Sequence, residues 1–371
     1  MEEGERDDGF LKVLRALRAA ARTVEDGHDG PALRALLALE AAADDLLARD
    51  HELHPLCRLL AAVRALAWCA YEEVEGGGGV VGVLRARCRR CKARRGIARA
   101  AGGVAAEIQA WADRELAARL VAALRGGDDA RARALLAELE ARLLGAGAGA
   151  GRFDARLQEA VLRHGVFGAV EARLGDPGAV GDGCAAAALA LVRFNRDVFV
   201  GPVLMGPAIG ALVSAASAHP SPAPLRALNG LVAEIRTPLV DELHARGELP
   251  RLLALLCAAD PLRRAPALEL VLRVAYYGRR EVLDALLAEG LVKRLLCLQR
   301  TAADTTEEEE ESPMASSAVA RFAVQVEAGQ GLRPREKRAA KLEILRRVRE
   351  AAVSPSEEAA VLAEVLWGAT P

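Results

Sequence analysis

Aromatic side chains are scarce: three Trp, three Tyr and six Phe make up 3% of the 371 residues. A core without them has to be built from Ala, Leu and Val, which favours helix, and an all-β fold is excluded. Charge of one sign is lacking too. Fifty basic residues against 51 acidic ones leave a net charge of -1, so no global field draws in nucleic acid or an anionic membrane, and any such binding must come from a local patch. Cysteines number seven, an odd count spread from Cys57 to Cys297. Most stand among Leu and Ala at helical spacing, the pattern of reduced core thiols, which argues against a disulfide framework.

Targeting and catalytic devices are missing as well. The first eight residues, Met1 to Asp8, are acidic and lead into an amphipathic pattern, so no secretory or transit segment is visible and a cytoplasmic or nuclear location is expected. Val198 to Leu225 carries no Asp, Glu, Lys or Arg, enough to raise a membrane span. Gly201, Pro202, Gly206, Pro207 and Gly210 interrupt it, so two short helices around a loop are expected and no transmembrane segment. There is no Walker lysine behind a glycine loop, no Gly-x-Ser-x-Gly elbow and no His-Glu-x-x-His helix. No catalytic residue, metal or cofactor is expected, and an enzyme is the weakest reading.

What the chain does have is helical periodicity. Residues 1–145 read as an N-terminal helical bundle with helices over 8–24, 31–49, 51–75, 80–99, 103–125 and 128–144. Leu11, Leu14, Leu17 and Ala21 form one apolar face, and Leu56, Leu59, Leu60, Val63 and Leu66 another. A Gly/Ala linker over 146–152 follows. Beyond it Gly165, Gly206, Gly247 and Gly290 recur at intervals of 41, 41 and 43 residues, a period typical of helical solenoids. Each glycine precedes a new apolar pattern, such as Glu248-Leu249-Pro250-Arg251-Leu252-Leu253. The clearest unit has a first helix from Gly247 to Ala259, a turn at Asp260-Pro261, a second helix through Tyr277 and a third over Arg279 to Glu289. The repeats occupy 153–300. An acidic loop over 301–314, holding Glu307 to Glu311, reads as disordered and hydrated, and capping helices fill 315–371, with Ser354-Pro355-Ser356-Glu357 as a capped helix start.

This pattern resembles the armadillo repeat. Phe199-Val200-Gly201-Pro202-Val203-Leu204-Met205, Ile235-Arg236-Thr237-Pro238-Leu239-Val240-Asp241-Glu242, Val319 to Glu327, Arg335-Glu336-Lys337-Arg338 and Val365-Leu366-Trp367-Gly368 look like a plant family of armadillo-repeat superfamily proteins. The resemblance covers most of 150–371, and no segment looks like a U-box domain. It implies an all-α, armadillo-like right-handed superhelix behind the bundle, and a protein-binding role through a groove lined by the third, or last, helix of each unit. Arg193, Asn229, Glu234 and Arg273 are the candidates for polar contacts in that groove. The importin-type groove repeats Trp and Asn, whereas no tryptophan lies between Trp111 and Trp367 here.

Two further features stand outside that reading. Cys88-Arg89-Arg90-Cys91 has the spacing of half a metal site, but Val81, Leu84, Cys88 and Cys91 fall on one helical stripe, so both thiols are expected in the core. His51, His54 and Cys57 could share a face but lack a fourth ligand. Arg85, Arg87, Arg89, Arg90, Lys92, Arg94, Arg95 and Arg99 form a basic patch free of acidic residues and of interleaved aromatics. A solvated face is the leading expectation for it, with acidic helices neutralising it in the fold. A non-catalytic interaction scaffold is therefore expected, with an accessory role in a ubiquitin pathway, or a nucleic-acid- or phospholipid-binding adaptor working through 85–99, as the alternatives.

Overall fold

The computed structural model describes the chain except for residues 1, 28–29, 48–52, 73–79, 147–152, 259, 304–316 and 368–371. All of the Gly/Ala linker but Ala146, and most of the acidic loop, Glu307 to Glu311 included, thus lie outside the described residues. Every regular element among the described residues is an α-helix. The helices divide into two compact units, Met1–Ala118 with Ala155–His164, and Arg119–Asp154 with Gly165–Pro371.

The first unit holds α1 (Glu2–Glu25), α2 (Pro31–Leu47), α3 (His54–Glu72), the start of α4 (Val80–Gly126) and α6 (Ala155–Arg163). Its core joins Leu14, Leu17 and Ala21 of α1 to Leu56, Leu60 and Val63 of α3 and to Ala101, Val104 and Ile108 of α4. Leu11, Leu59 and Leu66 pack against that core half-buried. Phe10 meets Trp111 edge-on, with centroids 5.7 Å apart.

One expected break is absent, because α4 runs without interruption through Gly102-Gly103. These glycines serve close packing: a Cβ on Gly102 would stand 2.5 Å from the Glu25 carboxylate. Interior glycine weakens a helix by about 1 kcal/mol relative to alanine, which α4 tolerates because it is packed on both sides of the pair, through Ile97, Ala101, Val104 and Ile108.

In the second unit α5 (Asp129–Ala146), expected to close the bundle, packs instead along α8 (Ala179–Phe194). The repeats then follow in threes. The first is α7 (Val166–Glu171), α8 and α9 (Arg196–Met205). The second is α10 (Ala208–Ala218), α11 (Ala223–Ile235) and α12 (Thr237–Ala245), and the third α13 (Leu249–Leu255), α14 (Pro261–Tyr277) and α15 (Arg280–Ala288). They continue into α16 (Leu291–Ala303), α17 (Ala318–Ala328), α18 (Pro334–Ala351) and α19 (Pro355–Trp367). Like helices stack on like: α5, α8, α11, α14 and α17 form one row, and α9, α12, α15 and α18 another. Repeated units that bury their faces mainly on their neighbours make an α-solenoid.

Local chemistry sets the boundaries. Asp260 Oδ1 accepts the backbone N–H of Leu262 at 2.8 Å, and Pro261 starts α14 where no N–H is required. The first helix of that repeat stops at Leu255, short of the expected Ala259, because Cys257 and Ala258 tighten into i→i+3 hydrogen bonds. Among the described residues no single helix is long and apolar enough to cross a membrane; α9 and α10 pass together on length and composition but are bent by 69° at Gly206-Pro207.

The cysteines are not core thiols as expected. Cys184 alone is fully buried, Cys57 is half-buried, and Cys69, Cys88, Cys91, Cys257 and Cys297 are exposed. The stripe of Cys88 and Cys91 is real as a helical face, but this stretch of α4 lies outside the packed part of the helix. Among the side chains of α4 that are described, the first buried one is Ile97.

Candidate functional site

The four polar residues singled out for a groove come together on the row of middle helices rather than on the last helix of each repeat. Arg193 ends α8, Asn229 and Glu234 lie on α11, and Arg273 lies on α14. Arg193 Nε donates to Glu234 Oε1 at 3.2 Å across the α8–α11 seam. The two residues are 41 positions apart, one repeat, so the stacking aligns them. Both side chains are more than a third exposed, where an ion pair contributes about 0–1 kcal/mol. The pair orders the face more than it stabilises the fold.

Asn229 is different. It is 8% exposed; its Nδ2 donates to Glu269 Oε2 at 3.4 Å, while its Oδ1 is buried with no hydrogen-bond partner among the described residues. Leaving such an acceptor unpaired costs about 1–3 kcal/mol. Arg273 Nη1 donates to the backbone carbonyl of Asn229 at 3.1 Å, which ties α14 to α11 and fixes the guanidinium at the rim. A Cβ on Gly230 would come 2.5 Å from Leu189, so α8 and α11 approach closely beside this polar cluster.

Two clefts open on the same row. The larger, about 330 Å³, lies between α11, α14 and α17 and is lined by Ala233, Glu269, Leu272, Arg273, Tyr276, Tyr277 and Gln325. Tyr276 and Tyr277 meet edge to face with centroids 4.9 Å apart. The smaller, about 180 Å³, lies between α5, α8 and α11 and includes Leu144, Leu189, Ala190, Arg193 and Arg226. Glu269, Tyr276, Tyr277 and Gln325 escaped the reading of the sequence. Two signals could have found them: Glu269 follows Asn229 by 40 residues, and the adjacent Tyr pair holds two of the chain's three tyrosines.

The row presents hydrogen-bonding and aromatic side chains beside one another, Glu269, Arg273, Tyr276, Tyr277 and Gln325. The one buried thiol, Cys184, is pushed up to about 12 by burial, which leaves it protonated and inert. Burial also raises the Glu171 carboxyl, against an opposing hydrogen bond from the backbone N–H of Ala208. Among the described residues no cluster of His, Cys, Asp and Glu is suited to a metal; His51 lies outside them.

The basic patch lies on α4 in the first unit. Arg87, Arg89, Arg90, Lys92, Arg94, Arg95 and Arg99 are all exposed, and the Arg85 side chain is not among those described. The expected neutralisation by acidic helices is incomplete. Among the described residues Arg87, Arg90, Lys92, Arg95 and Arg99 make no ion pair, while Arg89 and Arg94 each have a partner.

No protein-family model and no curated protein matches the chain. Among solved structures 21 chains match. One is an engineered protein, 17% identical with a TM-score of 0.46 over 68% of this chain and 97% of that one. Another is a designed armadillo repeat protein, 17% identical with a TM-score of 0.45 over 66% of this chain and 98% of that one. A third is a second engineered protein, 16% identical with a TM-score of 0.47 over 96% of this chain and 87% of that one. The solenoid assignment rests on the helix register, in which glycine-marked units of three helices stack row upon row.

Proposed function

We propose that this protein is a non-catalytic interaction scaffold that holds a protein segment along the row α5, α8, α11, α14 and α17. The observation that carries the reading is the polar cluster at the centre of that row. Asn229, Glu269 and Arg273 stand together beside an open cleft walled by Tyr276, Tyr277 and Gln325. Tyrosine and arginine are residue types that carry binding energy at protein interfaces. An extended segment suits a solenoid, whose repeats offer similar contacts at regular intervals. With this role we infer membership of the plant armadillo-repeat superfamily, on the residues quoted above, and action in the cytoplasm or nucleus.

The test is a comparison of faces. The full chain is used as bait in nuclease-treated extract, retained proteins are identified, and each is purified for titration calorimetry. Tyr276→Ala with Gln325→Ala should weaken a genuine partner at least tenfold with the helical circular dichroism unchanged. Arg280→Glu, on the exposed face of α15, should leave binding as it was. Equal affinity for the wild type and the double variant would overturn this face as the binding surface.

A further inference from the structure

The cationic stretch of α4 is independent of the repeat face and has chemistry of its own. From residue 80 to 106 there is no acidic side chain, and eight are basic. From residue 87 to 95 eight of nine residues are exposed and Ala93 is half-buried, so this stretch is bare nearly all round. At about 100° per residue, Arg87, Arg89, Arg90, Lys92, Arg94 and Arg95 point around the whole circumference, and no sector wider than roughly 100° lacks a cation. We propose that this stretch binds double-stranded DNA, lying in the major groove and held by phosphates on both walls, without reading sequence.

The distribution of charge selects the partner. A membrane offers a flat surface and favours helices with charge on one side and large apolar groups on the other. Here the cations go all round, and between residues 87 and 99 the one large apolar side chain, Ile97, is buried. A groove with anionic walls on both sides matches an all-round distribution. An α-helix is about 10–12 Å across with its side chains, and the major groove of B-form DNA is about 12 Å wide. The deep, narrow major groove of duplex RNA does not admit it. Five of the six cations are arginines, whose planar fork can bond a phosphate through two N–H groups. Nine residues span roughly 13 Å, enough for about five phosphate contacts counting both strands.

The experiment uses the full chain, freed of nucleic acid at high salt, and a fluorescein-labelled 20-base-pair DNA duplex read by anisotropy. With five contacts, log K should fall with log salt at a slope of about -4.5, an affinity loss of roughly 500-fold between 50 and 200 mM. Replacing Arg87, Arg90, Lys92 and Arg95 by Gln should flatten the slope by about 3.6, with circular dichroism unchanged. Lysine at Arg87, Arg90 and Arg95 should preserve the slope. As a check free of substitutions, duplex should shield Arg87, Arg90 and Arg95 of the wild type from phenylglyoxal. Absence of binding at 50 mM salt, unaltered binding by the Gln variant, or shielding confined to other arginines would overturn the proposal. So would tighter binding to duplex RNA of the same sequence, to phosphatidylserine vesicles or to polyglutamate.

Discussion

Gly247 sits where α12 ends, at φ +70°. The backbone N–H of Gly247 donates to the carbonyl of His244, and that of Glu248 to Leu243, both at 3.0 Å; together these form a Schellman motif, which closes a helix by a left-handed residue. Apart from its own backbone and its two chain neighbours, nothing lies within 4 Å of the position a Cβ would take, so a side chain there meets open space and any penalty comes from backbone conformation alone. Forcing an L-residue into that region costs about 1–2 kcal/mol, more for a β-branched one. Loss of glycine's freedom in the unfolded chain returns about 0.4–1 kcal/mol. Gly247→Val should therefore destabilise by about 1–2 kcal/mol, and Gly247→Asn, which visits the left-handed region readily, by well under about 1 kcal/mol. Urea unfolding followed at 222 nm gives the energies, and hydrogen exchange gives the place, with α12 and α13 losing protection first. Equal effects of Val and Asn, or a uniform loss of protection along the whole chain, would refute the argument.

Other expectations follow from the same structure. A maleimide applied to the native protein should label Cys69, Cys88, Cys91, Cys257 and Cys297 quickly, and Cys184 only on unfolding; mass spectrometry of timed digests decides it. Arg246→Met should cost about 1.5–3 kcal/mol through loss of charge-assisted hydrogen bonds, and protection should fall at the end of α9, one repeat away. Glu357 is held below the usual carboxylate range first by the Arg300 guanidinium, at 2.7 and 2.9 Å, and then by the backbone N–H of Val353. Its folded-state value is lowered, so its contribution is present above the ordinary 4.5 and is lost as pH falls below it. Glu357→Gln should thus lower the urea midpoint at pH 7 and shrink the fall between pH 5 and 3.

The repeat was legible because its marks are local. Pro261 and Gly278 bracket α14 in the sequence and in the structure, and Ser354 Oγ accepts the Glu357 N–H at 3.2 Å to open α19, as the capping pattern implied. Features set by packing were not legible. Gly102-Gly103 looks like a helix break, yet its meaning depends on Glu25 and Leu59, which approach from other helices. The stripe of Cys88 and Cys91 gives a correct helical face, but periodicity cannot say where along α4 a neighbour stops covering it. Likewise α5 carries the amphipathic signal of any bundle helix; its place beside α8 comes from which apolar face finds which. At the candidate site, the repeat offset is visible in sequence for Arg193 and Glu234. The unpartnered Oδ1 of Asn229 is not, because it depends on what the surrounding helices fail to supply.

Gly206 shows how a repeat survives a broken rule. Gly165, Gly247 and Gly290 all have positive φ, between 64° and 77°, whereas Gly206 is at -86°. The cause is the next residue. Pro207 disfavours helical conformations in its predecessor, and it has no N–H to close the second bond of a Schellman motif. The last carbonyls of α9 would then lack part of their capping. Arg246, from the following repeat, supplies it: Nη2 donates to the carbonyl of Leu204 at 2.6 Å and Nη1 to that of Gly206 at 2.9 Å. A cation at a helix C-terminus also meets the favourable end of the helix dipole. Glycine is nevertheless required at 206 for a second reason, since a Cβ would stand 2.3 Å from Glu171 Oε1 and 2.7 Å from the carbonyl of Pro202. The two junction glycines therefore fail differently. Asparagine should rescue position 247, where conformation is the constraint, and should not rescue position 206, where space is.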